Sequence, residues 1–474
     1  MSSVPQISGQ TAYTDVTTLV NTAQMVKYLP DEAVYECCKH INKLSDLHAL
    51  SLTSKHFFVT IFNNTFPAWS TLLASHFPSS FPMNPPQPLP LDLYRNLKVI
   101  DNHMRTGTHQ LRTLADHQSR ITCLIVQDGM LFSGSFDHTI KIWDIASGKE
   151  LHTLNGHQRF VDCLTVKDGM LISSSADRTI KIWDIASGKE LHTLNGHQRF
   201  VDCLTVKDGM LISSSADRTI KIWDIASGKE LHTLNGHQRF VDCLTVKDGM
   251  LISGSADRTI KIWDIVSGKE LHTLNGHQDT ISCLTVIDGM LISGSADRTI
   301  KIWDIVNGKE LHTLNGHQDT ISCLTVKDGM LISGSLDKMI KIWDIATGTE
   351  LHTLNGHQHH VSCLTVKDEM LISGSNDNTI KIWDIASGTE LHTLASHQHY
   401  VTCLTAKDGM LFSGSADRTV KIWDIATGTE LHTLNGHQGW VSCLTVKDGM
   451  LISGSYDNTI KIWDFTLSFN ASAG

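Results

Sequence analysis

Proline is absent from everything beyond residue 90, since all nine prolines lie at or before Pro90. The chain is therefore divided into two parts built by different rules. It also lacks any apolar run near the roughly eighteen residues that cross a bilayer, which excludes a membrane-spanning helix. Its first residues, MSSVPQISGQTAYTDVTTLV, lack the basic start and apolar centre of a secretory signal, so none is expected. Positive charge is scarce as well. The formal net charge is −10; residues 1–105 are neutral, so the excess acid lies in the remainder. That balance argues against general nucleic-acid or anionic-membrane binding, both of which need basic faces. Paired cysteines are missing too. Beyond Cys37 and Cys38, one cysteine recurs every forty residues from Cys123 to Cys443, each in a CLTV-like setting. These read as small buried hydrophobes in a reducing cytosol rather than as a disulfide framework. There is no phosphate loop, zinc-ligand spacing or isolated nucleophile constellation, so neither an enzyme nor a cofactor or metal site is expected.

What the chain has in abundance is repetition. A length of 474 residues exceeds what one hydrophobic core usually serves. Residues 151–190 recur letter for letter as 191–230. Nine tryptophans, from Trp143 and Trp183 to Trp463, stand forty residues apart. Each copy holds short apolar runs such as CLTV, MLIS and TIKIW, separated by the turn signals KDG, AD and SGK. This pattern predicts about four strands per copy. A period near forty, with GH near the start and WD near the end, resembles the WD-repeat family and implies an all-β propeller. Identical wedges then cover one another's apolar faces.

In the second copy His157, Ser173, Asp177 and Trp183 match the family's hydrogen-bonded structural tetrad. A Ser/His/Asp catalytic triad is the competing reading, and ninefold recurrence argues against it. His152 and its equivalents in LHTL read as strand residues. The last copy lacks an ELHTL strand, while THQLRTL (108–114) supplies a match. An N-terminal strand completing the C-terminal blade gives nine blades. Eight blades with one loosely docked copy is the alternative, because nine exceeds the typical number.

The first part reads differently. Residues 1–24 are Ser/Thr-rich and expected to be disordered. Within residues 25–75, Val34, Cys37, Cys38 and Ile41 follow helical spacing. Residues 29–58, LPDEAVYECCKHINKLSDLHALSLTSKHFF, with Trp69 beyond, resemble an F-box. The resemblance implies an apolar face of Leu29, Pro30, Val34, Ile41, Leu44 and Leu47 for the Skp-type adaptor of a cullin ubiquitin ligase. Residues 76–106 form a proline-rich connector and a linking helix, expected over 92–104. The propeller is assigned to 107–466 and a tail to 467–474. The resemblance implies a non-catalytic receptor that carries a propeller-bound protein substrate to the ligase. A WD-repeat interaction scaffold with a helical cap and no ligase role is the alternative. Either belongs in a cytoplasm, which is the host's cytosol if an intracellular bacterium secretes the chain.

In the family, the top face reads ligands beside the first strand's opening residue and before the tetrad Asp. Here those positions offer Phe160, Phe200, Phe240, Tyr400, Trp440 and Tyr456, with Asp162, Asp202 and Asp242. Only Arg120 is basic among them, which argues against phosphate recognition. Aromatic anchors with an acidic arc suit a peptide bearing basic and apolar side chains. The alternative is that these aromatics merely pack on the loops.

Overall fold

The computed structural model describes residues 90–466, with side chains from Lys98 onward. Two compact units divide between Asn102 and His103, inside a helix α1 (Pro90–Thr106). The helix is longer at both ends than the expected 92–104. Proline is well placed in its first turn, where no backbone N–H is needed. The adaptor-face residues Leu29, Pro30, Val34, Ile41, Leu44 and Leu47, and the tail 467–474, lie outside the described residues.

From His103 onward the described chain is a nine-bladed propeller. Thirty-six strands form nine four-stranded antiparallel sheets. The eight-blade alternative is thereby overturned: every copy contributes a full sheet. Blade 2 is typical, with strands Val161–Lys167, Met170–Ser175, Ile180–Asp184 and Glu190–Leu194 running from the inside outward. Its first hairpin turns at Asp168 and Gly169, both at positive φ (48° and 74°), the conformation that two-residue hairpins favour.

The core is shared between neighbours. Ile172, Ile180, Ile182 and Leu194 of blade 2 pack with Val201, Leu211, Trp223 and Ile225 of blade 3 in one buried cluster. Each fully buried aliphatic side chain contributes roughly 1.5–3 kcal/mol, and the clusters that bury them join two neighbouring copies. An outer circle of bonds adds to this. His152 Nε2 bonds the Ala186 carbonyl of the next blade at 3.1 Å, and the pattern repeats around the rim.

Closure uses the N-terminal strand. Strand β1 (Gln110–Leu114) pairs with β36 (Ile460–Asp464), the last strand among the described residues, with Leu111 opposite Trp463. Blade 9 therefore has no covalent turn between its third and fourth strands, and the end of α1 takes that place. His432 Nε2 bonds the Arg105 carbonyl at 2.8 Å, where its equivalents bond the next blade's turn. Gly107, at φ 71°, lies against the His432 ring, so close that a Cβ would stand 2.5 Å from Nδ1. Arg105 pairs with Asp424 and Arg112 with Asp464. The Arg112 guanidinium also donates to the Ile145 carbonyl of blade 1 at 2.6 Å. Lys461 differs from its equivalents. Blade 2 sets Lys181 against Glu190 at 2.8 Å, whereas Lys461 has Thr113 at 2.9 Å, and burial pushes its pKa down.

Replacing Arg112 with Ala leaves Asp464 largely buried without its cation. The expected loss is about 3 kcal/mol, as for a broken buried pair. Scanning calorimetry should show a lowered Tm, with Arg178→Ala, at an exposed site, as the control that leaves it unchanged.

Candidate functional site on the top face

Two loops per blade meet at one end of the ring, the top face. In blade 2 these are 155–160, entering the inner strand, and 176–179, between the second and third strands. Ala176 N donates to Phe160 O at 3.1 Å and binds the loops together. Beneath them runs a relay. Trp183 Nε1–H donates to Ser173 Oγ at 2.9 Å. The serine hydroxyl meets His157 Nε2 at 2.9 Å, and His157 Nδ1 meets Asp177 Oδ2 at 2.8 Å. Asp177 also accepts from the Gln158 and Thr179 backbone N–H groups, each at 2.8 Å. Burial alone would raise the Asp177 pKa, but His157, Thr179 and Gln158 together hold it well below the usual carboxylate range. In blade 6, Met339 replaces the threonine donor, and Asp337 is lowered only to about 2. Ser173 is fully buried and His157 nearly so, which leaves no opening for a substrate. The group fixes loops; it has no room for catalysis.

The exposed residues above it differ from blade to blade. Phe200 and Phe240 are 47% and 45% exposed. Phe160, in a copy identical to that of Phe200, is half-buried because it stacks on Phe136, with centroids 4.3 Å apart. Arg120 covers the other side, its guanidinium carbon 3.7 Å from the Phe136 centroid and 4.8 Å from that of Tyr456. Tyr456 stacks on Trp440 at 5.7 Å, Trp440 meets His399 at 5.9 Å, and His399 meets Tyr400 at 4.3 Å. The ridge continues through His359, 6.5 Å from Tyr400. Trp440, Tyr456 and Tyr400 remain 45%, 43% and 40% exposed. Tyr400, Trp440, Tyr456 and Phe160 thus join one ridge spanning blades 7, 8, 9, 1 and 2. Phe200 and Phe240 stand apart from it.

Asp162, Asp202 and Asp242 occupy one position on three successive inner strands. Burial raises the pKa of Asp162. Burial, then the charges of Asp162 and Asp242, raise Asp202 to about 7. Asp242 is itself exposed, and partial desolvation by its surroundings raises it to about 6. The acidic arc is thus partly neutral near neutral pH.

Sequence reading missed a basic arc. Arg159, Arg199 and Arg239 are exposed in the entering loops, and Arg178, Arg218, Arg258 and Arg298 are exposed in the second loops. Position 159 varies among copies (Ser119, Asp279, His359, Gly439) as freely as the positions singled out, so comparison between copies could have found it. The second group sits at positive φ, 76° at Arg178. Asn378 and Asn458 hold the same turn in other blades, and Asn accepts that conformation more readily. The turn alone therefore does not call for arginine.

With this geometry in view, the family can be stated. Nine stretches, 108–144, 148–184, 188–224, 228–264, 268–304, 308–344, 348–384, 388–424 and 428–464, match the model described as WD domain, G-beta repeat. The chain belongs to the WD-repeat family. Such propellers are generally non-catalytic platforms for protein partners. Among solved structures, a computationally designed protein, Ika8, is 37% identical with a TM-score of 0.55, covering 73% of this chain and 97% of its own. Among curated proteins, a probable E3 ubiquitin ligase complex SCF subunit sconB of Talaromyces marneffei is 33% identical over 60 residues. Its counterpart in Neosartorya fischeri is 35% identical over 60 residues. Each match covers 13% of this WD-repeat chain and only 9% of the relative. No helix among the described residues is long and apolar enough to cross a membrane.

Ser173→Ala orphans the Trp183 N–H and one His157 nitrogen, and should cost about 2–6 kcal/mol, from roughly 1–3 for each buried group left unpaired. Denaturant titration read by tryptophan fluorescence measures it. The tetrad aspartates also set an acid limit. Their folded pKa values are depressed, so the stability they add is complete above the unfolded value near 4 and is lost as pH falls below it. Circular dichroism across pH 5 to 2 should show a steep, many-proton transition.

Proposed function

We propose that this WD-repeat protein is a non-catalytic substrate receptor that links a protein bound on its top face to an SCF-type cullin ubiquitin ligase. The observation that carries the reading is the contrast within the ring. Scaffold residues recur in all nine copies, whereas the exposed aromatic and charged side chains differ and gather on one face. That is the form of a partner-binding surface, with exposed aromatics suited to act as anchors. The ligase half rests on LPDEAVYECCKHINKLSDL in residues 29–47 and on relatives whose names include SCF subunit.

In this reading Leu29, Pro30, Val34, Ile41, Leu44 and Leu47 meet the Skp-type adaptor. Phe160, Phe200, Phe240, Tyr400, Trp440 and Tyr456 grip apolar side chains of the substrate. Asp162, Asp202 and Asp242 receive a basic one. Transfer then follows from proximity: holding a substrate lysine near the charged conjugating enzyme raises its effective concentration. The setting is the cytosol where such a ligase operates.

The full chain mixed with purified Skp-type adaptor should co-elute stoichiometrically on size exclusion, and Ile41→Asp with Leu44→Asp should abolish this. Absence of binding at high micromolar concentration would instead support a propeller scaffold without a ligase role. Asp162→Asn, Asp202→Asn and Asp242→Asn together should weaken a basic target peptide about tenfold or more, as each ion pair in a partly desolvated site is worth roughly 1 kcal/mol. Calorimetric titration reads that loss.

A further inference from the structure

Around the inner wall, six of the nine blades place a hydroxyl within reach of the next blade. Thr122 Oγ1 donates to the Val161 carbonyl at 2.7 Å. Ser282 reaches Ile321 at 2.6 Å, Ser322 reaches Val361 at 2.8 Å, and Thr402 reaches Val441 at 2.6 Å. Ser362 lies 3.2 Å from the Val401 carbonyl and Ser442 3.3 Å from that of Ile121, where each shares its one proton with a slightly nearer carbonyl of its own blade, Gly374 at 3.0 Å and Gly454 at 3.1 Å. Three consecutive blades break the pattern, with Asp162, Asp202 and Asp242 in the hydroxyl's place. By the same register, the equivalent carbonyls of the next blades are those of Val201, Val241 and Ile281. An ionised carboxylate has no proton to give them.

We propose that Asp162, Asp202 and Asp242 form a proton-operated clasp between blades 2, 3, 4 and 5. Protonated, each carboxyl donates its O–H to the next blade's carbonyl and completes the hydroxyl circle. Ionised, each withdraws the donor and sets a negative charge beside its neighbours. The surroundings favour the proton. The charges acting on the arc are those of the aspartates themselves; the neighbouring thiols Cys163, Cys203 and Cys243 are pushed up by burial and by these carboxylates and stay neutral. The flanking inner strands bring Thr122 and Ser282, and the second strands bring Ser174, Ser214 and Gly254, none of which ionises. Neither a lysine, an arginine nor a histidine acts on Asp202.

The consequence has a definite sign. Folded pKa values raised above the unfolded value near 4 mean that the clasp is complete below that pH and is released as pH rises towards about 7, the value of Asp202. Stability of the ring should therefore fall across this range. Resting on the reading of the top face above, release of the clasp is also what presents charge to a basic side chain of the substrate. The clasp itself needs no ligand, so its test is separate.

The test compares the full chain with its Asp162→Ser, Asp202→Ser, Asp242→Ser variant, which carries the hydroxyl that other blades use. The variant's Tm should match the wild type near pH 4 and exceed it increasingly up to about pH 7, levelling off by pH 8. Groups common to both chains cancel in the difference. Infrared difference spectra at pH 6 should show a protonated-carboxyl C=O stretch in the wild type that Asp202→Ser diminishes. A Tm difference that does not change between pH 5 and pH 8, or no such stretch, overturns the clasp. Neither result bears on adaptor binding.

Discussion

A four-stranded blade has two apolar faces and can bury neither alone. That constraint governs the ring. The cluster that holds Ile172 and Ile180 also holds Val201 and Trp223 from the next copy, so each blade is folded only to the extent that its neighbours are. A linear stack would leave two faces exposed. The ring leaves none, and the cluster joining Leu114, Ile121 and Trp143 to Ile452, Ile460 and Ile462 is the point where the first and last copies complete each other. Within this apolar wheel, polar groups are tolerated where they satisfy one another. The Trp183, Ser173, His157 and Asp177 relay does so by giving each buried donor an acceptor, at a place where an orphan would be costly.

Closure shows how non-covalent geometry can reproduce a covalent turn. Blade 9 has a gap between β36 and β1 where other blades have a continuous turn with a glycine at positive φ. Arg105, Thr106 and Gly107 fill it, presenting the carbonyl to His432 and the glycine to its ring as a true turn does. Arg112 then stands where His152 and its equivalents stand, and reaches the Ile145 carbonyl of blade 1. The rim of interblade bonds thus passes through the closure without a break, although its chemistry changes there from imidazole to guanidinium.

Much of this was legible in the sequence. Tryptophans forty residues apart and the GH and WD signals specify blades, because a propeller repeats its buried residues at the period of its fold. THQLRTL was legible as the missing strand for the same reason. The substitution of the turn by Arg105 to Gly107 was not, because a backbone carbonyl and a φ angle leave little trace in residue type. The top face was legible in part. Positions that vary between copies marked Trp440 and Tyr456, but their assembly with Arg120 and Phe136 into one ridge depends on loops from different blades meeting. That the Arg178 side chain is exposed at the same end of the ring as Arg159 follows only from both loops rising there.

The two identical copies carry the last step. Residues 151–190 and 191–230 share every letter, so any difference between them arises from neighbours. Phe160 rests on Phe136 and is half covered, while Phe200, beside a copy with alanine at that place, is exposed. Asp162 has Thr122 on one side and a carboxylate on the other; Asp202 has carboxylates on both, and their charges add to burial in raising its pKa. A ring of repeats can therefore diversify its surface without changing a repeat, by changing what stands next to it. The stretch from blade 1 to blade 5 grades from aromatic through acidic and basic to hydroxyl-lined on one invariant frame. Its chemistry is a property of the order of the copies, which no single copy contains.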